Sequence, residues 1–196
     1  MRFGDQPLLA ESLARLEASD WIDAIVLVAP PGWEEPAILL AEELGCGKVN
    51  SCVAGGATRT QSVRNGVAEV PPDAAVALVH DAARPLVTDD VIARVLGALN
   101  EGWDGAIPVL SVADTIKRVE GDRVVGTIDR SELRAVQTPQ AFVADVLRHA
   151  LARDGDWTDC AAAVEAAGGR VKVVDGDPRL LKVTDASDLE RVAALL

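Results

Sequence analysis

The chain has 196 residues, 49 % hydrophobic and 26 % charged, which favours one globular domain with a sizeable core. Only 3 % are aromatic, so the core must come from Ala, Val, Leu and Ile, a composition suited to helices packed on a buried sheet. The net charge of −12 argues against non-specific binding to nucleic acid or anionic membrane, and any anionic substrate needs a local cluster of cations. Cys46, Cys52 and Cys160 contain no CxxC pair, and His80 and His149 are the only histidines. Neither a disulfide framework nor a zinc site is indicated, and the cysteines read as packing residues. No apolar run approaches the roughly 20 residues of a membrane span, and the N-terminus lacks a signal peptide's apolar stretch, so a cytoplasmic protein is expected.

Apolar runs rich in β-branched residues alternate with helical periodicity along the chain, the pattern of an α/β fold. Residues 8–16 predict an amphipathic helix and 22–29 a strand, followed by the turn Pro30, Pro31, Gly32. A helix over 34–44 and a short strand over 48–53 lead to Gly55 and Gly56. The next helix starts near Arg59, because Thr58 and Gln61 have capping-box spacing, and it carries the stripe Val63, Gly66, Val67, Val70. A buried strand over 74–79, a helix over 89–99 and a strand over 105–110 follow. Segments 114–119 and 124–129, flanking Glu120, Gly121, Asp122 and Arg123, read as a β-hairpin. Helices over 141–153 and 159–167, a strand over 171–174 and a last helix from Ala186 complete a single domain, with no internal repeat or linker.

In an open α/β sheet, ligands bind beyond the carboxyl ends of the strands, so polar residues just after apolar runs carry the information. Gly55 and Gly56 before a helix N-terminus offer backbone N–H groups to an anion or a base edge, and Arg59 and Ser62 share one side of the first turn. Asp81 and Arg84 follow a buried strand and precede Pro85; they can orient hydroxyls and phosphates, or pair locally to fasten the loop. With a four-residue turn at 120–123, Thr115 stands opposite Ile128, with Arg130 its diagonal neighbour on one face of the hairpin. Such an arm can grip a phosphate, bind a second copy, or both. Lys182 and Thr184 share a face if 181–184 is a strand, whereas Thr158 and Thr184 also fit helix N-caps. Residues 137–140, Gln-Thr-Pro-Gln, join a strand to a helix.

The order of these segments is more specific than any one of them. Gly-Gly-Ala-Thr-Arg-x-x-Ser-Val at 55–63 and His-Asp-Ala-Ala-Arg-Pro at 80–85 come first. Pro-Val-x-x-x-Asp-Thr-x-Lys-Arg at 108–118, Asp-Arg-Ser at 129–131 and Gln-Thr-Pro-Gln at 137–140 follow. Thr-Asp at 158–159 and Leu-Lys-Val-Thr at 181–184 close the series. Over essentially the whole chain this resembles the 2-C-methyl-D-erythritol 4-phosphate cytidylyltransferase family.

That resemblance implies a Rossmann-like, mostly parallel sheet flanked by helices, with an inserted hairpin, about 114–130, acting as a homodimerisation arm. It implies cytidylyl transfer from CTP to a methylerythritol phosphate with release of pyrophosphate, and Mg2+ bound mainly through substrate phosphates. On the matching positions, Asp81, Arg84 and Lys182 would be catalytic, and Gly55, Gly56, Ser62, Ala82 and Thr138 would bind nucleotide. Thr115, Arg130, Thr158 and Thr184 would hold the sugar phosphate, some of them from the partner subunit. The family often has an acidic residue where Ala57 stands, so one base contact is made by backbone or is missing.

The substrate phosphate is already anionic, so displacement at the α-phosphorus needs positioning and charge neutralisation more than a strong base. In the family an Arg and a Lys in a Gly-rich loop supply part of that neutralisation. The chain opens Met1, Arg2, Phe3, Gly4, Asp5, Gln6, Pro7, Leu8, which matches just beyond that loop, and contains no Gly-x-Gly-x-x-Arg stretch. On the resemblance, the 196 residues are therefore expected to fold at least partly and to transfer cytidylyl groups poorly or not at all. A ribitol-phosphate or other sugar-phosphate cytidylyltransferase and a non-catalytic dimeric sugar-phosphate-binding fragment are the alternative readings.

Overall fold

The computed structural model describes residues 2–3 and 6–195; Met1, Gly4 and Asp5 of the opening stretch, and Leu196, lie outside the described residues. Strands β1 (Arg2–Phe3) and β2 (Gln6–Pro7) pair antiparallel and lead into helix α1 (Leu8–Ala18). β3 (Ile25–Ala29), α2 (Glu34–Glu43) and β4 (Val49–Ala54) form a unit in which the two strands are parallel. α3 (Arg59–Ala68), β5 (Val76–Val79), α4 (Asp89–Asn100) and β6 (Gly105–Ser111) continue the alternation. The hairpin β7 (Ile116–Glu120) and β8 (Arg123–Ile128) precedes a 3-10 turn at Arg130–Glu132. β9 (Arg134–Val136), β10 (Gln140–Val143), α5 (Ala144–Leu151), α6 (Cys160–Ala166), β11 (Val171–Asp175) and α7 (Ala186–Ala193) complete the fold.

The central sheet has the order β11-β6-β10-β5, with β9 also on β6. β11 runs parallel to β6, whereas β10 is antiparallel to both β5 and β6. The expected α/β layers are present, but the sheet is mixed rather than mostly parallel. After the hairpin the chain returns through β9 and β10 without a crossover helix, and a short return gives antiparallel pairing. Among the described residues β3 pairs with β4 and β5 with β10, so these strands belong to two separate sheets.

Both faces of the central sheet are covered. Phe142 and Ala77 pack with Leu147, Val164 and Val67 of α5, α6 and α3. Ala141 and Leu78 face the other way, against Val95 and Ala98 of α4. This double burial explains one failed expectation: residues 141–143 are a strand, not the start of a helix, and α5 begins at Ala144. A short strand buried on both faces shows no polar alternation, so its apolar run is indistinguishable from a helix's first turn.

The hairpin also differs from its sequence reading. Val119 pairs with Val124 as expected, but a bulge beside Val119 shifts the register so that Ile116, not Thr115, faces Ile128. Thr115 precedes the strand and Arg130 sits in the 3-10 turn, so the two are not diagonal neighbours on a ladder. The helix caps are one residue later than proposed: Asp159, not Thr158, caps α6 by accepting from Ala162 N–H, and Asp185, not Thr184, caps α7. Thr58 does cap α3, accepting from Gln61 N–H at 3.2 Å, while the Gln61 side chain turns to Asn65 instead of closing the box. No helix among the described residues is long and apolar enough to cross a membrane.

Candidate active site

The register of the central sheet builds the site. Gln140 pairs with Val79, so the chain leaving β5 lies alongside the chain entering β10. The Asp81 N–H accordingly donates to Thr138 Oγ1 at 3.0 Å. The peptide between Thr138 and Pro139 is cis.

Asp81 gathers the charges. Its Oδ2 accepts from Lys182 Nζ at 2.8 Å, and its Oδ1 lies 3.5 Å from Arg59 Nη2. These partners come from positions 22 residues before and 101 residues after it, so only the fold unites them. Burial pushes the Asp81 carboxyl up, but the hydrogen bond and charge of Lys182, with Arg59 and Arg84, outweigh it and hold the group below the ordinary carboxylate value of 3.8. The Asp81 side chain is 19 % exposed and Lys182 45 %, so the carboxylate is recessed and the ammonium reaches solvent.

Arg84 does not make the local ion pair with Asp81 that the sequence allowed. Its N–H donates to Asp81 O at 2.8 Å, closing a turn, while its guanidinium donates to the carbonyls of Leu180 and Val136 at 2.6 and 3.4 Å. Carbonyls fix its direction without neutralising its charge. Ala82 is exposed, and its carbonyl accepts from Ser12 Oγ at 3.1 Å, which ties α1 to this loop.

The glycine turn behaves differently from its sequence reading. Gly55 N–H donates to Ala29 O at 2.7 Å and Gly56 N–H to Ser62 Oγ at 3.0 Å, so neither is free for an anion. The Ser62 hydroxyl in turn donates to Thr58 O at 3.0 Å. A Cβ on Gly56 would lie 2.0 Å from Gln61 Cγ, so close approach, not ligand contact, demands glycine there.

Four proposed residues make no hydrogen bond or ion pair with the Asp81 cluster among the described residues. Arg130 reaches back to Ala113 O at the base of the hairpin, and Thr115 is exposed. Thr158 is exposed, and Thr184 donates through Oγ1 to Asp188 Oδ2 at 2.6 Å. Conversely, the fold gives Arg59, noted in the sequence beside Ser62, partners that the sequence did not indicate, and it recruits Gln140 and His80, which stood there only as members of motifs. Arg59 spans from Asp81 to Cys160 Sγ at 3.8 Å, and Gln140, 1 % exposed, donates to Asp159 Oδ2 at 3.0 Å. His80 bridges Thr138 and Arg84. The position of Gln140 and His80 at the ends of paired strands was the available signal for both. Among the described residues no group of three His, Cys, Asp or Glu is placed to hold a metal ion.

Comparison with known proteins agrees over the whole chain. The family model described as IspD, 2-C-methyl-D-erythritol 4-phosphate cytidylyltransferase, matches residues 1–196. A 2-C-methyl-D-erythritol 4-phosphate cytidylyltransferase of Nocardia farcinica (strain IFM 10152) is 44 % identical over 194 residues, covering 98 % of this chain and 83 % of that protein. One of the same description from Saccharopolyspora erythraea is 46 % identical over 196 residues, covering 97 % of this chain and 87 % of that protein. The crystal structure of 2-C-methyl-D-erythritol 4-phosphate cytidylyltransferase from Thermus thermophilus superposes with a TM-score of 0.84 at 34 % identity, covering 99 % of this chain and 91 % of that one.

Proposed function

The chain belongs to the 2-C-methyl-D-erythritol 4-phosphate cytidylyltransferase family, and from that premise we propose how its own residues serve the family's reaction. The enzyme joins CTP and 2-C-methyl-D-erythritol 4-phosphate to give 4-diphosphocytidyl-2-C-methyl-D-erythritol and pyrophosphate, a step of non-mevalonate isoprenoid biosynthesis. An anionic oxygen of the sugar phosphate attacks the α-phosphorus of CTP. The bond from that phosphorus to the oxygen bridging to the β-phosphate breaks, and pyrophosphate leaves with the electron pair. No proton has to move, so catalysis rests on positioning and on cations facing the developing charge.

The observation that carries the assignment of roles is the Asp81 carboxylate set between Lys182 and Arg59 at the strand ends of a chain with net charge −12. Lys182, anchored yet half exposed, offers its ammonium to the phosphates meeting there. Asp81 remains ionised and accepts from substrate hydroxyls. Arg84, aimed by two carbonyls, keeps its full charge for the sugar phosphate. Gly55, Gly56 and Ser62 shape the nucleotide side as a rigid turn whose carbonyls, rather than N–H groups, are left for a base edge. Ala82 and Thr138 border it. Asp81, the site's recessed carboxylate, is already shared by two cations, so the described residues build no resident cage for Mg2+. The ion enters as part of the Mg2+–CTP substrate.

Residues 1–196 act as one cytoplasmic nucleotidyltransferase-like domain with a hairpin arm. Thr115, Arg130, Thr158 and Thr184 complete a sugar-phosphate site across a homodimer. Exposed Val119, Val124 and Val125, on a hairpin that among the described residues pairs only with itself, support that arm. A pyrophosphate-release assay with Mg2+–CTP and either methylerythritol phosphate or ribitol 5-phosphate, run on the 196 residues and on a version extended N-terminally by the family's Gly-rich loop, tests the reading. Preference for methylerythritol phosphate is expected. Turnover confined to ribitol 5-phosphate would overturn the substrate, and binding without turnover of either would favour a non-catalytic protein.

A further inference from the structure

Residues 80–88 contain neither helix nor strand, so something other than a ladder must hold the loop that carries Asp81 and Arg84. The imidazole of His80 lies at its root, and the partners of the ring fix the direction of every proton. Nε2 is 3.0 Å from Arg84 O, and since a carbonyl only accepts, Nε2 carries the hydrogen. In the neutral ring Nδ1 is then an acceptor, so the Thr138 hydroxyl, 3.2 Å away, donates to it. That leaves the Thr138 oxygen's lone pairs to receive Asp81 N–H at 3.0 Å. Arg84 N–H donates to Asp81 O, so both main-chain polar groups of Arg84 are tied within the same turn.

We propose that His80 is a positioning residue for cytidylyl transfer: its neutral imidazole links Thr138 to the Arg84 carbonyl and so fixes the loop presenting Asp81 and Arg84. The inference rests on the reading above that puts these two residues at the sugar phosphate. The side chains they present pull in different directions, Asp81 toward Lys182 and Arg59, Arg84 toward the carbonyls of Leu180 and Val136. Without the ring, the loop loses its tie at the Arg84 carbonyl, while the Arg84 N–H bond, the Thr138 contact, Ser12 on Ala82 O and Val183 N–H on Ala83 O remain. Desolvation holds His80 well below the ordinary histidine range, at about 4; the Asp81 charge raises it and the Arg84 charge lowers it. The donor–acceptor pattern is therefore kept throughout the neutral range.

Nitrogen-15 NMR of the wild-type protein, with His149→Gln to assign the second histidine, reads the tautomer without requiring turnover. The expected spectrum at pH 7 has a protonated Nε2 and a bare Nδ1; an Nδ1–H tautomer or an imidazolium would overturn the proposal. Steady-state kinetics, in wild type and variants extended N-terminally by the family's Gly-rich loop, then read the consequence. His80→Phe should raise the KM for methylerythritol phosphate about tenfold while shifting the KM for CTP less than about threefold, the loss of one to two neutral hydrogen bonds on one substrate's side. His80→Gln, whose amide can still reach Arg84 O, should recover part of that loss. Wild-type kinetics in His80→Phe, or an equal rise in both KM values, would overturn the proposal. If His80→Phe does not fold, the nitrogen spectrum and His80→Gln decide. Failure of the wild-type enzyme to use methylerythritol phosphate would instead sink the functional reading and leave the tautomer result standing.

Discussion

Replacing Lys182 by Met removes the closer of the two cations on Asp81 and strands a carboxylate that is 19 % exposed, with Arg59 at 3.5 Å as its remaining ion-pair partner. A hydrogen bond between charged groups is worth about 1.5–3 kcal/mol, and the 45 % exposure of Lys182 discounts this through solvent screening to about 1–2 kcal/mol. Asp81→Asn removes the charge while keeping the shape, and in the double variant neither charge is left unpaired. The double variant should therefore lose about 1 kcal/mol less than the sum of the two single losses. Urea unfolding of all four proteins at pH 7, with unchanged m-values, measures this coupling. Coupling below about 0.3 kcal/mol would mean that the pair is not formed in solution. The sign with pH is also set. A carboxyl depressed in the folded state stabilises above its unfolded value of 3.8, and that contribution disappears as pH falls through the lower folded value. The gap between wild type and Asp81→Asn should therefore close only in strong acid.

The remaining predictions concern the arm, its arginine and the buried ring. Sedimentation should show a dimer at micromolar concentration, weakened by charges placed at Val119 and Val124; a wild-type monomer would refute the arm. In a version with the family's N-terminal loop restored, Arg130→Ala should raise the KM for the sugar phosphate about ten- to a hundredfold, far more than that for CTP, the loss of one charge-assisted contact. If the arm crosses the interface, mixing Arg130→Ala with Asp81→Asn chains should restore one intact site, and no gain over the separate variants would count against it. Because the folded His80 value of about 4 lies below the ordinary 6.5, its stabilisation is complete above 6.5 and is lost as pH falls toward 4. The loss between pH 7 and 5 should be about 2 kcal/mol. His80→Phe should lack that component, and an identical acid dependence would show that the ring is solvated.

The α/β layering was legible because most strands and helices carry clean apolar runs, and the motif order reached the whole chain. The misses have local causes. Ala141, Phe142 and Val143 are a strand covered on both faces, so nothing in their composition separates them from α5. Thr158–Asp159 and Thr184–Asp185 each offer two capping side chains in succession, and the aspartates won both times. A bulge beside Val119 moved Thr115 off the ladder, and no residue type there announces it. At the site, Asp81 and Lys182 were individually visible, but their pairing across 101 residues was not. The alternative of a local Asp81–Arg84 pair is not realised, because the turn points Arg84 at carbonyls. The glycine N–H groups looked free only because the acceptors Ala29 O and Ser62 Oγ come from neighbouring elements.

The central claim is that the Lys182 ammonium, anchored on Asp81, meets the charge that develops during cytidylyl transfer. Single-turnover pyrophosphate release with saturating methylerythritol phosphate, wild type against Lys182→Met with both extended N-terminally by the family's Gly-rich loop, measures that step directly, with CTP affinity followed separately by calorimetry. We expect the rate to fall about 10²–10³-fold with little change in CTP affinity, the effect of deleting one group that stabilises transition-state charge. An unchanged rate, or a loss confined to CTP affinity, would contradict the account.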